Sequence, residues 1–372
     1  MEIQKTIETD LKRVCKVFNL PGEYECYKQF DNGHINKTYL VNLKEPDNII
    51  KQYIIQSING YVFKDPTIVM HNIKEVTSHI REKIKSEGGD INREIINFLY
   101  IKEGINYFSD ENKNFWRVYP FIDKSITFEK VENETMLFNA GNAFGKFQRM
   151  LSDFPMCKLK DTIPNFHNTK KRLEDFFNTV EEDPEGRAKE LKDEIEFFRE
   201  RRSIASKLID MQESGDLPLR VTHNDTKYNN ILMDINTNEA LCVIDLDTVM
   251  PGLSAYDFGD AIRFAASTAA EDETDLSKVN INMNYYEAFT KGFIGASKGF
   301  FTANEIDNMA WGAVIITLEL ASRFLADHIN GDKYFRIHRP NQNLDRARNQ
   351  MQLVLAMEQN FKQMCDIVKM YS

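Results

Sequence analysis

The segment LRVTHNDTKYNNILMDINTNEALCVIDLDTVMPG, residues 219–252, decides the fold class of this chain. It contains short apolar runs typical of β-strands, with polar side chains gathered where those runs begin or end. Long helical patterns precede and follow it, so it is predicted to be a compact β-rich island within a helical region. Its polar residues include His223, Asp225, Lys227 and Asn230, and Asp245 ends the last apolar run.

The spacing of these polar residues indicates a chemistry. His-x-Asp followed five residues later by Asn matches the catalytic loop of kinases, and Asp245 is placed where such enzymes hold a metal. Phosphoryl transfer needs a carboxylate to accept a hydroxyl proton, which makes Asp225 the candidate base. Mg²⁺ prefers hard oxygen ligands, which Asn230 and Asp245 offer, while Lys227 can place positive charge beside the γ-phosphate. His223 is expected to be structural. Singly each could be an ordinary turn or strand end; together they favour a kinase.

The remainder of the chain predicts two lobes. Residues 1–122 are expected to form an N-terminal nucleotide-binding lobe with an antiparallel sheet, and residues 123–372 a larger, mostly helical catalytic and substrate-binding lobe. In the first lobe, helices are predicted at 7–18 and 67–85 and strands at 24–30, 35–43, 49–55, 95–101 and 115–122. In the second, helical patterns cover 132–151, 169–180, 189–212, 284–293, 304–326 and the region from 344.

Composition narrows the classes of function. The chain has 372 residues, of which 42% are hydrophobic and 28% charged, and its net charge is −10, which disfavours nucleic acid and anionic membranes as partners. The five scattered cysteines predict reduced, mostly buried thiols. No signal-like apolar stretch opens the chain, and the longest apolar region, 313–320, is too short to span a bilayer. We therefore expect a cytoplasmic protein, a monomer or weak dimer.

Five longer stretches carry a family resemblance: 30–41, 62–80, 221–234, 242–264 and 323–348. Through them the chain resembles the aminoglycoside phosphotransferase and choline kinase superfamily, and more closely its bacterial N-acetylhexosamine 1-kinase branch. The resemblance implies an α+β, two-lobed protein-kinase-like fold with ATP and Mg²⁺ as cofactors. It also implies a small-molecule sugar substrate, phosphorylated at the anomeric hydroxyl of an N-acetylhexosamine to give the sugar 1-phosphate.

The same resemblance implies a nucleotide site in the first lobe. The kinase lysine expected on the third strand has no clear counterpart; Gln56 lies near its place, and Glu75 is the nearest candidate for an ion pair from the following helix. Triphosphate contacts are expected from Asn32, Gly33, Asn36 and Thr38, and adenine contacts from backbone groups around Tyr119 and Phe121.

The acceptor side is expected to include Asp225, His34, Arg323 and Tyr334. Asp257 is expected to accept hydrogen bonds from the backbone of the catalytic loop. Two alternatives stay open at this point. One keeps the chemistry and changes the acceptor to another sugar, an aminoglycoside or an amino-alcohol, although arginines in the relevant loops disfavour a cationic acceptor. The other is a nucleotide-binding module that has lost catalysis, for which the missing lysine is the one supporting feature.

Overall fold

A computed structural model of the chain describes residues 2–30, 36–128 and 130–372. The chain divides into two compact units. The first unit comprises Met1–Ser125, Cys157–Ile163 and Leu241–Val249, and the second comprises Ile126–Met156, Pro164–Ala240 and Met250–Ser372. The segment carrying Asp245 therefore belongs to the first unit, and the segment carrying Asp225 belongs to the second.

The first unit contains one antiparallel sheet and two helices. In chain order its elements are α1 (Glu2–Val17), β1 (Glu23–Phe30), β2 (Lys37–Lys44), β3 (Ile50–Ile58), α2 (Pro66–Ser86), β4 (Phe108–Ser109) and β5 (Phe115–Pro120). The strand order in the sheet is β1-β2-β3-β5-β4. The predicted antiparallel sheet is thus confirmed, with β3 and β5 adjacent although α2 separates them in the chain.

Local signals explain where these helices form. Leu11 and Val14 of α1 recur at helical spacing and are buried in one core cluster with Tyr39, Val41 and other side chains of the sheet. The Asp65 side chain caps α2 by accepting a hydrogen bond from the Thr67 amide, and Pro66 occupies the first helical position. Both predicted helices are confirmed.

The second unit is mainly helical. Strands β6 (Ser125–Ile126) and β9 (Ala240–Val243) lie where the chain passes between units. Its remaining elements are α3 (Glu134–Met150), α4 (Thr169–Glu182), α5 (Lys192–Glu200), α6 (Arg202–Glu213), β7 (Arg220–Thr222), β8 (Ile231–Asp234), β10 (Met250–Gly252), α7 (Ser254–Ala265), α8 (Met283–Ser297), α9 (Ala303–Ile329), α10 (Gln342–Gln359) and α11 (Phe361–Met370). The central α9 packs against α7, α10 and α4.

Several predicted elements were wrong. Residues 95–101 do not form a strand: the Leu99 amide donates to the Val118 carbonyl, but these residues do not pair with β5 as a strand would. The pattern over 189–212 is two helices, α5 and α6, which meet at Arg201. Helix α7 was not predicted. Nor are the cysteines mostly core, because Cys26 and Cys157 are exposed.

Helix α9 corrects the expectation that no apolar region could span a bilayer. By length and composition alone, Ala303–Ile329 is long and apolar enough to cross a membrane. However, 78% of its apolar stretch is buried inside the protein, and the core helices of soluble proteins can be equally long and apolar. The cytoplasmic location stays a prediction.

Candidate active site

The loop after β7 brings Asp225, Lys227 and Asn230 together within the second unit. The Lys227 Nζ atom lies 2.9 Å from Oδ1 of Asp225. The Asn230 Nδ2 group donates to the other carboxylate oxygen of Asp225 at 3.1 Å and to its backbone carbonyl at 2.8 Å. The Asp225 side chain keeps 23% of its surface exposed and that of Lys227 30%, so both side chains are partly buried.

The charges of this group are mutually stabilised. Burial acts to raise the pKa of Asp225, but Lys227 first, and then His223 and Asn230, hold it below its ordinary value. Asp225 in turn raises the pKa of Lys227 to about 12. At neutral pH the loop therefore presents an ionised carboxylate beside an ammonium group, as a group that accepts a hydroxyl proton requires.

Helix α7 fixes the backbone of this loop. The Asp257 carboxylate accepts hydrogen bonds from the His223 amide at 2.8 Å and the Asn224 amide at 2.7 Å. One turn later, Asp260 accepts the Thr226 amide at 3.1 Å and pairs with a buried guanidinium of the same helix. The expectation that Asp257 binds the loop backbone is confirmed, and Asp260 is a second anchor that the sequence interpretation missed.

His223 is structural, as expected. Its side chain has no exposed surface and packs edge-on against the rings of Phe144 and Phe147 on α3. Its Nδ1 atom accepts a hydrogen bond from the Asp225 amide at 3.3 Å. The histidine thus positions the loop from within the core.

In the first unit, Asp245 lies in a tight turn. Strand β9 ends at Val243, and Asp245 adopts the left-handed conformation with φ of 58° before a single 3₁₀ turn over Leu246–Thr248. Asp245 and Asp247 therefore do not alternate along a strand, because the left-handed residue ends extended structure. The left-handed region is several-fold enriched in Asp and Asn among non-glycine residues.

Asp247 ties this turn to the sheet. One of its carboxylate oxygens accepts a hydrogen bond from Nδ2 of Asn36 at 2.6 Å. The other pairs with the guanidinium of Arg117 on β5, and only 2% and 3% of the two side chains is exposed. Burial works against the charged guanidinium, but Asp247, and after it Asp245, raise the pKa of Arg117 above its ordinary value.

A cross-strand row connects Arg117 to the position of the expected lysine. Thr38, Gln56 and Arg117 face one another across β2, β3 and β5. Arg117 Nε donates to Gln56 Oε1 at 2.9 Å, and Gln56 Nε2 donates to Thr38 Oγ1 at 3.0 Å. Gln56 therefore connects to a buried cation on the neighbouring strand. The sequence interpretation missed Arg117, although a charge inside the apolar run 115–122 was a signal. Glu75, the expected ion-pair partner, instead contacts Lys158 at 3.2 Å.

The other predicted nucleotide contacts stay predictions. Asn32 and Gly33 lie outside the described residues, as does His34, which is expected on the acceptor side. The Asn36 side chain is occupied within the unit, since its Oδ1 also accepts the Asn59 amide at 2.9 Å. Near the expected adenine position, the Phe121 amide donates to the Gln52 carbonyl at 3.0 Å, and the Tyr119 ring packs edge-on against Phe98.

Each of the two units contains oxygen ligands of the kind that Mg²⁺ prefers. Among residues 2–30, 36–128 and 130–372, no group of three or more His, Cys, Asp or Glu side chains could hold a metal by itself. Mg²⁺ is usually bound through one or two carboxylates plus substrate phosphates, without an all-protein cage. In the first unit Asp245 has a carboxylate, and in the second unit Asn230 has an amide oxygen, since its Nδ2 group already donates to Asp225. Metal binding by these two residues stays a prediction.

A cationic cluster lies beside the loop that carries Asp225 in the second unit. Half-buried His167 contacts Glu319 at 3.2 Å through Nδ1 and the Asn224 carbonyl at 3.1 Å through Nε2. Arg323 Nη1 lies 3.5 Å from the same Glu319 carboxylate. Burial acts to lower the pKa of His167, but Glu319 outweighs it and raises the pKa. Burial, followed by the charge of Arg323, lowers the pKa of nearby Arg172.

Aromatic rings surround this cluster. The Arg323 guanidinium lies within 6 Å of the ring centres of Tyr334 at 5.8 Å, Phe335 at 5.5 Å and Phe166 at 5.9 Å, so Arg323 and Tyr334 are brought together. Asp327 holds their loop by accepting the Tyr334 amide at 2.8 Å. The sequence interpretation missed His167 and Glu319, which are far apart in the chain and had no motif to mark them.

Comparison with known proteins now defines the class. The model of the family described as "Phosphotransferase enzyme family" matches residues 27–282, more than half of the chain. The chain therefore belongs to the phosphotransferase enzyme family.

Solved structures support the same fold. The chain is similar to the microcompartment-associated aminopropanol kinase (13% identity, TM-score 0.58), covering 96% of this chain and 98% of that one. It is also similar to choline kinase from Cryptosporidium parvum (13% identity, TM-score 0.58, 98% of both chains). Amicoumacin kinase, solved with AMP-PNP, Ca²⁺ and Ami, gives 11% identity and a TM-score of 0.56 over 98% of this chain and 96% of that one. The α+β, two-lobed protein-kinase-like fold is confirmed.

Proposed function

We propose that this phosphotransferase moves the γ-phosphoryl group of ATP to the anomeric hydroxyl of an N-acetylhexosamine, giving the sugar 1-phosphate and ADP. Family membership supports the reaction class. Support for an uncharged sugar comes from the cationic cluster beside the catalytic loop.

The charge of that cluster is the observation that carries the choice of acceptor. His167, Arg172 and Arg323 all interact with the buried carboxylate of Glu319. The raised pKa of His167 favours its protonated form, so positive charge exceeds negative charge in this cluster. An ammonium-bearing acceptor would be repelled there, whereas hydroxyl and acetamido oxygens accept hydrogen bonds from guanidinium groups. The exposed ring of Tyr334 adds an apolar surface of the kind that packs against sugar rings.

The catalytic loop supplies the proton acceptor. Asp225 would accept the proton of the anomeric hydroxyl as that oxygen bonds to the γ-phosphorus and the bond to the ADP oxygen breaks. Lys227 would keep Asp225 ionised and place positive charge beside the transferring group. Asn230 and Asp245 would hold Mg²⁺, which neutralises phosphate charge when bound.

Nucleotide binding is proposed for residues 1–122 and acceptor binding for residues 123–372. The nucleotide contacts that we propose are Asn32, Gly33, Asn36, Thr38, Gln56, Tyr119 and Phe121, and the acceptor contacts are His34, Arg323 and Tyr334. The ligands would be the Mg²⁺ complex of ATP and a small sugar. The protein itself would be a monomer or weak dimer.

An acceptor panel in a coupled ADP-release assay tests this proposal. N-acetylglucosamine and N-acetylgalactosamine should turn over, with ethanolamine, choline and an aminoglycoside far slower. Arg323→Met should raise KM for the sugar and reduce discrimination against the amines, while exposed Arg199→Met on α5 serves as the matched control. Faster turnover of a cationic acceptor would contradict the sugar assignment. Nucleotide binding without turnover of any acceptor would indicate an inactive module instead.

A further inference from the structure

We infer that Arg117, through its buried pair with Asp247, positions Asp245 for the Mg²⁺-bound nucleotide, since the β3 position where a kinase lysine is expected holds Gln56. This inference rests on the proposed function. It makes Arg117 a positioning residue, because its own side chain is 2% exposed and faces Gln56 and Asp247.

The first support is the way the turn is held. Asp247 is two residues from Asp245 in the same turn, and its two oxygens are fixed by Arg117 from β5 and by Asn36, the residue before β2. The end of the turn is held separately, since Asn72 on α2 donates to the Val249 carbonyl at 2.9 Å. The sheet and α2 together therefore fix the backbone on which Asp245 adopts its left-handed conformation.

The second support is the rigidity of the guanidinium. Arg117 Nε is bound by Gln56, which Thr38 orients in turn, so Nη1 is directed at Asp247. A planar guanidinium can make both contacts in fixed geometry, whereas a lysine ammonium is a compact point charge whose three donors rotate. Because Thr38, Gln56 and Arg117 lie opposite one another across the sheet, the cation that contacts the turn comes from β5, the strand beside β3.

The third support is the cost of burying this pair. Removing two charges from water opposes folding, and buried ion pairs can often be replaced by apolar residues without loss of stability. Stability therefore gives little reason for a buried Arg117–Asp247 pair. Orientation of a metal-binding residue would explain the buried pair, because substitution of residues that orient a metal ligand typically weakens metal affinity about 10–100-fold.

Calorimetric titration of ADP with and without Mg²⁺ tests the inference, and it needs no acceptor. Two variants are compared with wild type: Arg117→Lys, which keeps the charge, and the double variant Arg117→Gln with Asp247→Asn, which leaves no buried charge unpaired. Thermal unfolding verifies the fold of each. Arg13→Lys is the control, because Arg13 pairs with Glu111 at the surface of the same unit.

Both variants should bind Mg²⁺–ADP about 10–100-fold more weakly while metal-free ADP binds as in wild type. Arg13→Lys should change neither affinity. Three results would overturn the inference. Equal weakening of ADP binding with and without Mg²⁺ would mean that Arg117 serves nucleotide binding in general. Loss of folding in both variants would mean that it serves stability, and unchanged binding would mean that it has no role in holding Mg²⁺. If Mg²⁺–ADP binding is weakened as expected but no N-acetylhexosamine is phosphorylated, the proposed acceptor is wrong and the role of Arg117 in nucleotide binding still stands.

Discussion

The ammonium group of Lys227 lies 2.9 Å from Oδ1 of Asp225, two residues away on the same loop. This contact, with the amide of Asn230 on the second carboxylate oxygen, keeps Asp225 ionised although burial opposes the charge. The predicted base and the predicted cation of the loop are therefore one interacting pair, and each should change the titration of the other.

Replacing Lys227 should change the pH dependence of the reaction. In Lys227→Met the main interaction that lowers the pKa of Asp225 is lost, so burial raises that pKa. The acid limb of kcat/KM should move to higher pH, measured from pH 4 to 8. Exposed Lys362→Met on α11 is the control and should keep the wild-type profile. An unshifted acid limb in Lys227→Met would refute the assignment of Asp225 as the titrating base.

Replacing Asp225 should remove turnover but not nucleotide binding. Asp225→Asn keeps the size of the side chain and cannot accept the hydroxyl proton, so kcat should fall by about 10²–10⁴. Binding of ADP, measured by calorimetry, should stay close to that of wild type. Asp366→Asn, an exposed change on α11, controls for the loss of one negative charge. Near-normal kcat in Asp225→Asn would exclude the proposed base.

His167 should make stability depend on pH. Because its folded pKa lies above the ordinary 6.5, its contribution is fully present below pH 6.5 and is lost as pH rises through the folded pKa. The pKa of Glu319 is lowered, so its contribution to stability is lost only as pH falls below its ordinary value of 4.5, outside the measured range. Tm measured from pH 6 upward should thus fall less steeply in His167→Asn than in wild type. His338→Asn, an exposed change, should retain the wild-type slope.

Close packing of α3 on α8 gives a matched pair of stability variants. A Cβ atom at Gly292 would lie 2.2 Å from the Phe138 carbonyl oxygen, whereas at Gly295 on the same helix it would meet nothing within 4 Å. Gly292→Ala should destabilise the protein by about 1–3 kcal/mol because the helices must separate. Gly295→Ala should stabilise it by about 0.5–1 kcal/mol through lower backbone entropy. Equal Tm shifts in the two variants would contradict this packing.

Local patterns could be predicted from the sequence, and contacts that depend on strand register could not. The loop holding Asp225 and Asn230 was found because its side chains are close in the chain. Arg117 was missed because its relation to Gln56 depends on the register of β3 with β5, which are separated by α2.

Burial explains the missed helix. Every residue from Ser254 to Arg263 of α7 is buried, and its polar side chains Asp257, Asp260 and Arg263 bond within the core, so they do not mark a solvent-facing side. The break between α5 and α6 likewise depends on a distant contact, since Arg201 binds Glu358 of α10 at 2.9 Å. The non-strand conformation of 95–101 was missed because a run of apolar residues does not show whether a partner strand is available.

The position of the phosphate on the product tests the central claim most directly. Phosphorus NMR of the product formed from ATP, Mg²⁺ and N-acetylglucosamine or N-acetylgalactosamine should show one phosphate ester coupled to the anomeric proton. The same spectrum should lack that signal when Asp225→Asn replaces the wild-type protein. A phosphate coupled to a proton at another carbon, or product formed only from an amino-alcohol or aminoglycoside, would contradict the account.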